Sequence, residues 1–122
     1  MTKTIILACV GGLTTSMLVE RINETIHKDQ LDYSFYSVGI TGINNLKNID
    51  VLLLSPQLAY LEEKAKANLS VPVGVISDSD FELMQGEAVL RQAETLMGVS
   101  HEWGSPSNKP KSSLDAADSQ IL

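Results

Sequence analysis

The chain has 122 residues, of which 43% are apolar, so its length and composition fit one domain with a hydrophobic core. Its formal net charge of -6 disfavours direct binding to nucleic acid or anionic lipid, because both carry negative charge. A single cysteine excludes an internal disulfide, and two isolated histidines, His27 and His101, cannot complete a zinc site with it.

The sequence shows no segment that resembles a membrane anchor. No apolar run approaches the roughly 18 residues of a spanning helix. The opening residues lead into a short strand-like run rather than a signal sequence. We therefore expect a cytoplasmic location.

The first half of the chain predicts three strands and one helix. Residues 4–9 are almost continuously apolar, which is typical of a parallel strand covered on both faces. Leu18 and Ile22 belong to an apolar stripe at helical spacing with charged residues between its members, which predicts the first helix. Residues 33–38 are aromatic and β-branched, and residues 50–54 are apolar, so they predict the second and third strands.

The second half predicts two helices and one strand. Residues 57–69 are apolar on one side and charged on the other, which predicts a second amphipathic helix. Residues 71–76 predict the fourth strand, and Pro72 near its start favours a sheet edge. Residues 79–82, Ser-Asp-Phe-Glu, have the form of a capping box, and the apolar periodicity that follows predicts a third long helix ending near Met97.

These elements predict one α/β domain over residues 1–98. Residues 99–122 are rich in Ser, Pro, Asn, Lys and Asp without apolar periodicity, so we expect a flexible or disordered tail. The alternation of strands and helices favours an open parallel sheet with helices on both faces. In such folds the functional site lies at the carboxyl ends of the strands.

The main candidate for chemistry is Cys9, at the end of the first predicted strand. Taken alone, a cysteine on an apolar strand is more often a buried core residue. Cys9 is, however, followed by Gly11, Gly12 and the hydroxyl residues 14–16 at the start of the first helix. Glycines let backbone N–H groups approach a ligand, and hydroxyls and a helix N-terminus favour anions. Their coincidence beside the thiol indicates a phosphoryl-binding loop around a nucleophile.

Residues 9–19, Cys-Val-Gly-Gly-Leu-Thr-Thr-Ser-Met-Leu-Val, resemble the active-site loop of the lactose/cellobiose-type IIB components of the sugar phosphotransferase system. Residues 55–60, Ser-Pro-Gln-Leu-Ala-Tyr, resemble the Gly-Pro-Gln-Ile-Ala-Tyr segment that follows the third strand in that family. A weaker similarity runs through residues 75–90. The resemblance covers about residues 4–97 and leaves the predicted tail without a counterpart.

The resemblance implies a parallel sheet in the strand order 2-1-3-4, with a cysteine loop like that of low-molecular-weight phosphatases. Cys9 would carry the phosphoryl group as phosphocysteine, receiving it from a phosphohistidine of a IIA protein. The acceptor would be a sugar of the β-disaccharide or glycoside class, presented by a membrane IIC transporter. We expect a monomer without metal or organic cofactor. The implied phosphate-binding residues are Val10, Gly11, Gly12, Leu13, Thr14, Thr15 and Ser16.

Two residues depart from the family's pattern. Ser55 replaces the glycine that commonly precedes the proline, and Val10 is bulkier than the small residue often found after the cysteine. Both departures concern the geometry of loops, and neither changes the chemistry expected of Cys9.

A cysteine phosphatase is the main alternative. Low-molecular-weight tyrosine phosphatases and thiol arsenate reductases use a Cys-x5-Arg-Ser/Thr loop, but Thr15 stands at the position of that arginine. Arg21 falls well inside the predicted helix and is not expected to clamp phosphoryl oxygens. Asp78 or Asp80 could be proposed as the acid, although capping of the third helix is the simpler role. A carrier is therefore favoured.

A non-catalytic interaction module, with Cys9 buried and inert, is a further alternative. Met17, Gln57 and Tyr60 form a possible partner-binding rim, together with Leu13. Tyr60 could equally pack in the core. His27 lies among charged residues of the first helix and is interpreted as a surface residue.

Overall fold

The computed structural model describes residues 2–101, which are built around a four-stranded parallel sheet. The strands lie in the order β2-β1-β3-β4, so β2 and β4 form the edges. This confirms the expected order and the edge position of the strand that follows Pro72. The strands are β1 (Lys3–Ala8), β2 (Tyr33–Val38), β3 (Val51–Leu54) and β4 (Val73–Val75).

Helices connect the strands and cover both faces of the sheet. Two 3-10 helices, Ile40–Asn45 and Pro56–Leu61, follow β2 and β3. The α-helices are α1 (Leu13–Lys28), α2 (Glu62–Asn68), α3 (Asp78–Glu82) and α4 (Gly86–Met97).

The core consists of two apolar clusters separated by the sheet. Alternate side chains of a strand point to opposite faces, so Ile5 and Leu7 pack with α1, α3 and α4. Ile6 and Ala8 pack on the other side with α2 and both 3-10 helices. All of these β1 side chains are fully buried, which explains why the strand is a continuous apolar run in the sequence. Burial of one such Ile or Leu stabilises the fold by roughly 1.5–3 kcal/mol.

The helix predicted over residues 57–69 is two elements, so that prediction was wrong in part. Leu58 has non-helical backbone angles of φ -106° and ψ 15° inside the 3-10 helix, and α2 begins only at Glu62. The side chain of Leu58 is 1% exposed and belongs to the second core cluster. The amphipathic periodicity therefore predicted correctly that Leu58 is buried. It did not predict that the backbone breaks between the 3-10 helix and α2.

The third long helix is also divided, into α3 and α4. Met84 adopts a left-handed φ of 51°, and the N–H groups of Met84 and Gln85 donate to the carbonyl oxygens of Phe81 and Asp80, at 3.1 and 2.8 Å. This pattern is a Schellman motif, which ends a helix. The predicted capping box was wrong, because the N-cap of α3 is Ser77 and not Ser79. The Ser77 hydroxyl accepts the capping hydrogen bond from the N–H of Asp80 at 3.1 Å.

Most of the segment predicted to be a tail, residues 99–122, lies outside the described residues, so the division into domain and tail stays a prediction. Its described beginning contacts α4. The N–H of Val99 donates to the carbonyl oxygen of Glu94 at 3.0 Å, and the ring of His101 contacts the Glu94 carboxyl group. Within residues 2–101, none of the helices combines the length and apolar character needed to cross a bilayer.

Candidate active site

Cys9 lies one residue beyond the end of β1, at the carboxyl edge of the sheet. Its N–H donates to the carbonyl oxygen of Val38 at 3.1 Å, which extends the pairing of β1 with β2 by one residue. Cys9 is only 3% exposed. This hydrogen bond therefore fixes the backbone of Cys9 to the sheet. The chain leaves the sheet immediately after Cys9.

The loop after Cys9 requires its two glycines. Gly11 and Gly12 have φ angles of 93° and 108°, values that residues with a Cβ rarely adopt. Gly12 is the N-cap of α1, and the first backbone hydrogen bond of that helix runs from the N–H of Ser16 to the carbonyl oxygen of Gly12, at 3.2 Å. Among residues 2–101, nothing accepts a hydrogen bond from the N–H groups of residues 10–15. The loop thus offers a run of unused backbone donors at a helix N-terminus, where anions are favoured.

These residues surround an open cleft of ≈ 200 Å³. Among residues 2–101, no Asp, Glu, Lys, Arg or His side chain lines the cleft, so an anion there would be bound by backbone N–H and hydroxyl groups. Leu13 and Thr14, which were predicted for the loop, are exposed and do not line the cleft. The predicted residues that do line it are Cys9, Val10, Gly11, Gly12, Thr15 and Ser16.

Sequence reasoning missed one wall of the cleft, which consists of Ser37, Val38 and Gly39. Ser37 and Val38 end β2, Gly39 follows that strand, and the register pairs Ala8 with Val38. The strand order 2-1-3-4 contained this signal, because it places the carboxyl end of β2 beside Cys9. The residues themselves form no motif, so nothing local marked them.

Exposed apolar side chains surround the start of α1. Leu13 is 76% exposed, and Val10 and Met17 are exposed as well. Tyr60, at 72% exposure, is a surface residue, so the alternative that it packs in the core was wrong. Gln57 and Tyr60 lie in the 3-10 helix after β3, at the same edge of the sheet as the Cys9 loop.

The groups that a cysteine phosphatase would need lie elsewhere. Arg21 donates a hydrogen bond to the carbonyl oxygen of Met84 at 3.3 Å and does not line the Cys9 cleft. Asp78 and Asp80 occupy the first turn of α3, outside the cleft lining. The described lining of the cleft therefore offers backbone and hydroxyl donors and no arginine clamp.

Another groove, of ≈ 250 Å³, lies between the 3-10 helix after β2 and the helix α2. Its lining contains Lys64, Asn44 and Asn68 among apolar side chains, and no cysteine or histidine. His27, predicted to be a surface residue, is exposed on α1. The thiol and the backbone N–H groups without acceptors among residues 2–101 therefore occur together at the Cys9 cleft.

The comparison with protein families agrees with this arrangement. The family described as "PTS system, Lactose/Cellobiose specific IIB subunit" matches residues 4–92. The chain belongs to this IIB family. IIB components are sugar phosphotransferases, so the chain is a sugar phosphotransfer component of the lactose/cellobiose type.

Individual IIB proteins match over nearly their whole length. The galactose-specific EIIB component of Lactococcus lactis subsp. cremoris is 36% identical over 104 residues, which cover 78% of this chain and 96% of the relative. The cellobiose-specific EIIB component of Lactococcus lactis subsp. lactis has the same identity and coverage. The solution structure of a cellobiose-specific phosphotransferase IIB component from Borrelia burgdorferi superposes with a TM-score of 0.69 at 30% identity, covering 80% of this chain and 93% of that one. The sheet and its helices are thus those of a IIB domain.

Proposed function

We propose that Cys9 accepts a phosphoryl group from a phosphohistidine of a IIA protein and passes it to a sugar hydroxyl at a membrane IIC transporter. The observation that carries this proposal is the position of the chain's single cysteine beside the N–H groups of residues 10–15, which have no acceptor in the described part of the chain. Membership of the IIB family supports it.

The transfer to Cys9 is a nucleophilic substitution at phosphorus. The thiolate forms a sulfur–phosphorus bond while the nitrogen–phosphorus bond of the donor breaks, and the imidazole nitrogen keeps the electron pair. In the second transfer the sugar oxygen attacks phosphorus, the sugar hydroxyl loses its proton, and the sulfur of Cys9 leaves as thiolate. Cys9 is thereby regenerated.

The loop would hold the phosphoryl oxygens between the two transfers. The N–H groups of residues 10–15 have no acceptor among residues 2–101, and backbone donors at a helix N-terminus bind phosphoryl groups without a cationic side chain. Thr15 and Ser16, which line the cleft, add hydroxyls. This chemistry requires no metal or organic cofactor.

A carrier must also keep its phosphoryl group from reacting with water. Hydrolysis is accelerated by a positioned acid and by a bidentate arginine. Arg21, Asp78 and Asp80 lie outside the cleft lining, so phosphocysteine at Cys9 should persist until an acceptor arrives. For the same reason we rank the carrier above a phosphatase.

The proposed substrate is a β-linked disaccharide or related glycoside. The relatives that match this chain are named for galactose and for cellobiose, and cellobiose is a β-linked disaccharide. In the proposed scheme the IIC transporter binds and selects the sugar, while this domain acts on it from the cytoplasm.

The test is intact-mass analysis after incubation with a reconstituted, phosphoenolpyruvate-dependent phosphoryl-transfer chain. The expected result is one phosphoryl adduct on the wild type and none on Cys9→Ser, a variant that differs by one atom and should fold. An adduct that persists on Cys9→Ser would refute Cys9 as the carrier. Turnover of an aryl phosphate without an adduct would support the phosphatase, and inertness in both assays would support an interaction module.

A further inference from the structure

Ser55 is a buried hydroxyl residue that the site described above does not use. It follows β3 directly and is 0% exposed. Its backbone is fully paired, because its N–H donates to the carbonyl oxygen of Ala8 and its own carbonyl oxygen accepts from the N–H of Leu58, both at 2.9 Å. Its hydroxyl, in contrast, has no hydrogen-bond partner among residues 2–101. A buried polar group in this state needs an explanation.

The register of the sheet places Ser55 beside Cys9. Ala8 pairs with Leu54 in the parallel ladder of β1 and β3. Cys9 and Ser55 are the residues that directly follow these two strands. The hydrogen bond from Ser55 to Ala8 continues that ladder by one residue. Adjacent strands lie roughly 4.8 Å apart, so the two backbones are direct neighbours.

The pleat of the sheet places the two side chains on the same face. Leu7 and Leu53 pair with each other and belong to the core cluster under α1, whereas the next pair, Ala8 and Leu54, belongs to the opposite cluster. Side chains alternate along a strand, so Cys9 and Ser55 return to the α1 face. Ile76, which continues β4 in the same way, packs in that cluster.

The thiol and the thiolate differ in what they offer this hydroxyl. A neutral thiol is a weak acceptor, whereas a thiolate is a charged acceptor for which hydrogen bonds are stronger. Thr15, the other buried hydroxyl near the loop, already donates to the carbonyl oxygen of Gly11, at 3.5 Å. Of these two buried hydroxyls, only that of Ser55 has no hydrogen-bond partner among residues 2–101.

We infer that the Ser55 hydroxyl donates a hydrogen bond to the sulfur of Cys9 whenever that sulfur is ionised. This inference rests on the proposed function, in which the sulfur is ionised twice: as the nucleophile, and again as the leaving group when the sulfur–phosphorus electron pair returns to it. In both states the hydrogen bond stabilises the charge, and Ser55 keeps its proton.

In the described part of the chain, no charged side chain lines the cleft and could donate a hydrogen bond to the sulfur instead of Ser55. The elements that meet there carry Glu20 and Arg21, two turns into α1, and Asp78 and Asp80 in the first turn of α3. None of these four lines the cleft, and residues 37–39, which include the end of β2 and the residue after it, carry no charged side chain. Among the described residues, the groups that line this cleft and can donate a hydrogen bond to the sulfur are therefore uncharged.

The test is the rate at which iodoacetamide alkylates Cys9 in the wild type and in Ser55→Ala, followed by intact mass. At about pH 7 alkylation tracks the fraction of thiolate, so Ser55→Ala should react roughly threefold to fivefold more slowly. At a higher pH, where the rate of each protein no longer rises with pH, the variant should react at least as fast, because a thiolate without the hydrogen bond is more nucleophilic. A structural defect or reduced access would slow both reactions equally.

Ser70→Ala removes an exposed serine before β4 and is the matched control, which should follow the wild type at both pH values. If Ser55→Ala misfolds, Ser55→Gly removes the same hydroxyl without adding volume. Equal rates for the wild type and the Ser55 variants near pH 7, or equal losses at both pH values, would overturn the inference. Alkylation needs no partner protein, so failure of this hydrogen bond and failure of phosphoryl transfer to Cys9 give different results.

Discussion

The backbone N–H of Cys9 donates a hydrogen bond to the carbonyl oxygen of Val38, at 3.1 Å. This bond fixes the backbone of Cys9 to the sheet, while the N–H groups of the next residues, 10–15, have no acceptor among the described residues. The change from paired to unpaired backbone therefore occurs immediately after the thiol. Substitutions in the loop should alter phosphoryl binding more than they alter the fold.

Gly12→Ala tests the backbone of the loop. The φ of 108° at Gly12 is unfavourable for alanine, and no atom lies within 4 Å of the added Cβ, so any loss of stability arises from backbone strain. We expect the free energy of unfolding to fall by about 1–2 kcal/mol, with slower phosphorylation of Cys9. Urea denaturation and intact mass measure the two effects.

Gly39→Ala is the control for stability. Gly39 has a φ of -82°, and a Cβ there also meets nothing within 4 Å. This variant should be at least as stable as the wild type. Equal losses of stability at Gly12 and Gly39 would show that the left-handed backbone of Gly12 is not the cause.

Leu13→Asp tests the exposed apolar side chains as a docking surface. Leu13 is 76% exposed at the first position of α1, where aspartate is compatible with the helix, so the fold should be retained. Phosphoryl exchange with the IIA partner should slow by about tenfold if Leu13 is a central contact. Leu13→Asn should retain most of this effect, because it removes the apolar contact without adding charge.

Leu83→Asp makes the same change at a residue that is 61% exposed after α3, outside the proposed rim. Its exchange rate should match that of the wild type. Unchanged exchange in Leu13→Asp, or an equal loss in Leu83→Asp, would argue against a docking surface at the start of α1.

Tyr33 should give the fold an alkaline pH dependence. Burial raises the pKa of Tyr33, and the hydrogen bond to Glu94 and the charge of that carboxyl group raise it further. The folded state therefore holds the tyrosine proton more strongly than the unfolded state does. This stabilisation is complete below about pH 10, the ordinary tyrosine pKa, and is lost as the pH rises beyond it.

Tyr33→Phe should be less stable near neutral pH by roughly 1–2 kcal/mol, because Glu94 loses a donor, and it should lack the alkaline loss. Tyr36→Phe is the control, since Tyr36 lies on the same strand and is 48% exposed. Urea denaturation at a series of pH values measures both. An unchanged alkaline slope in Tyr33→Phe would refute the assignment to Tyr33.

The N-cap of α3 gives a test of local structure. The Ser77 hydroxyl accepts a hydrogen bond from the N–H of Asp80, at 3.1 Å, so Ser77→Ala should reduce the free energy of unfolding by about 1 kcal/mol. Ser79→Ala, two residues away in the exposed first turn, should cost little. Thermal unfolding of the two variants distinguishes them, and a larger loss at Ser79 would restore the capping box inferred from the sequence.

The sequence identified the sheet and the Cys9 loop because both rest on local signals. Continuous apolar runs distinguish buried parallel strands, and a cysteine followed by glycines and hydroxyls is visible in one short segment. The boundary between α3 and α4 carried no such signal, because Met84 ends α3 with a left-handed φ that is usually found at glycine or asparagine.

Other features depended on contacts between distant segments. Gly86 begins α4 where a Cβ would lie 3.3 Å from Cγ1 of Ile22, so it permits the close approach of α4 to α1. Ser37 and Ser55 reach the neighbourhood of Cys9 only through the pairing of β2 and β3 with β1. Their position beside Cys9 follows from the register of the sheet, and no local sequence pattern marks it.

The fate of the phosphoryl group tests the central claim most directly. The wild-type protein, labelled with radioactive phosphate at Cys9 and freed from its donor, would be mixed with membranes that contain the IIC transporter and with a β-glycoside. We predict that the label leaves the protein only when the glycoside is present and appears as sugar phosphate. Release as inorganic phosphate at the same rate with or without glycoside would contradict the relay and identify a hydrolase.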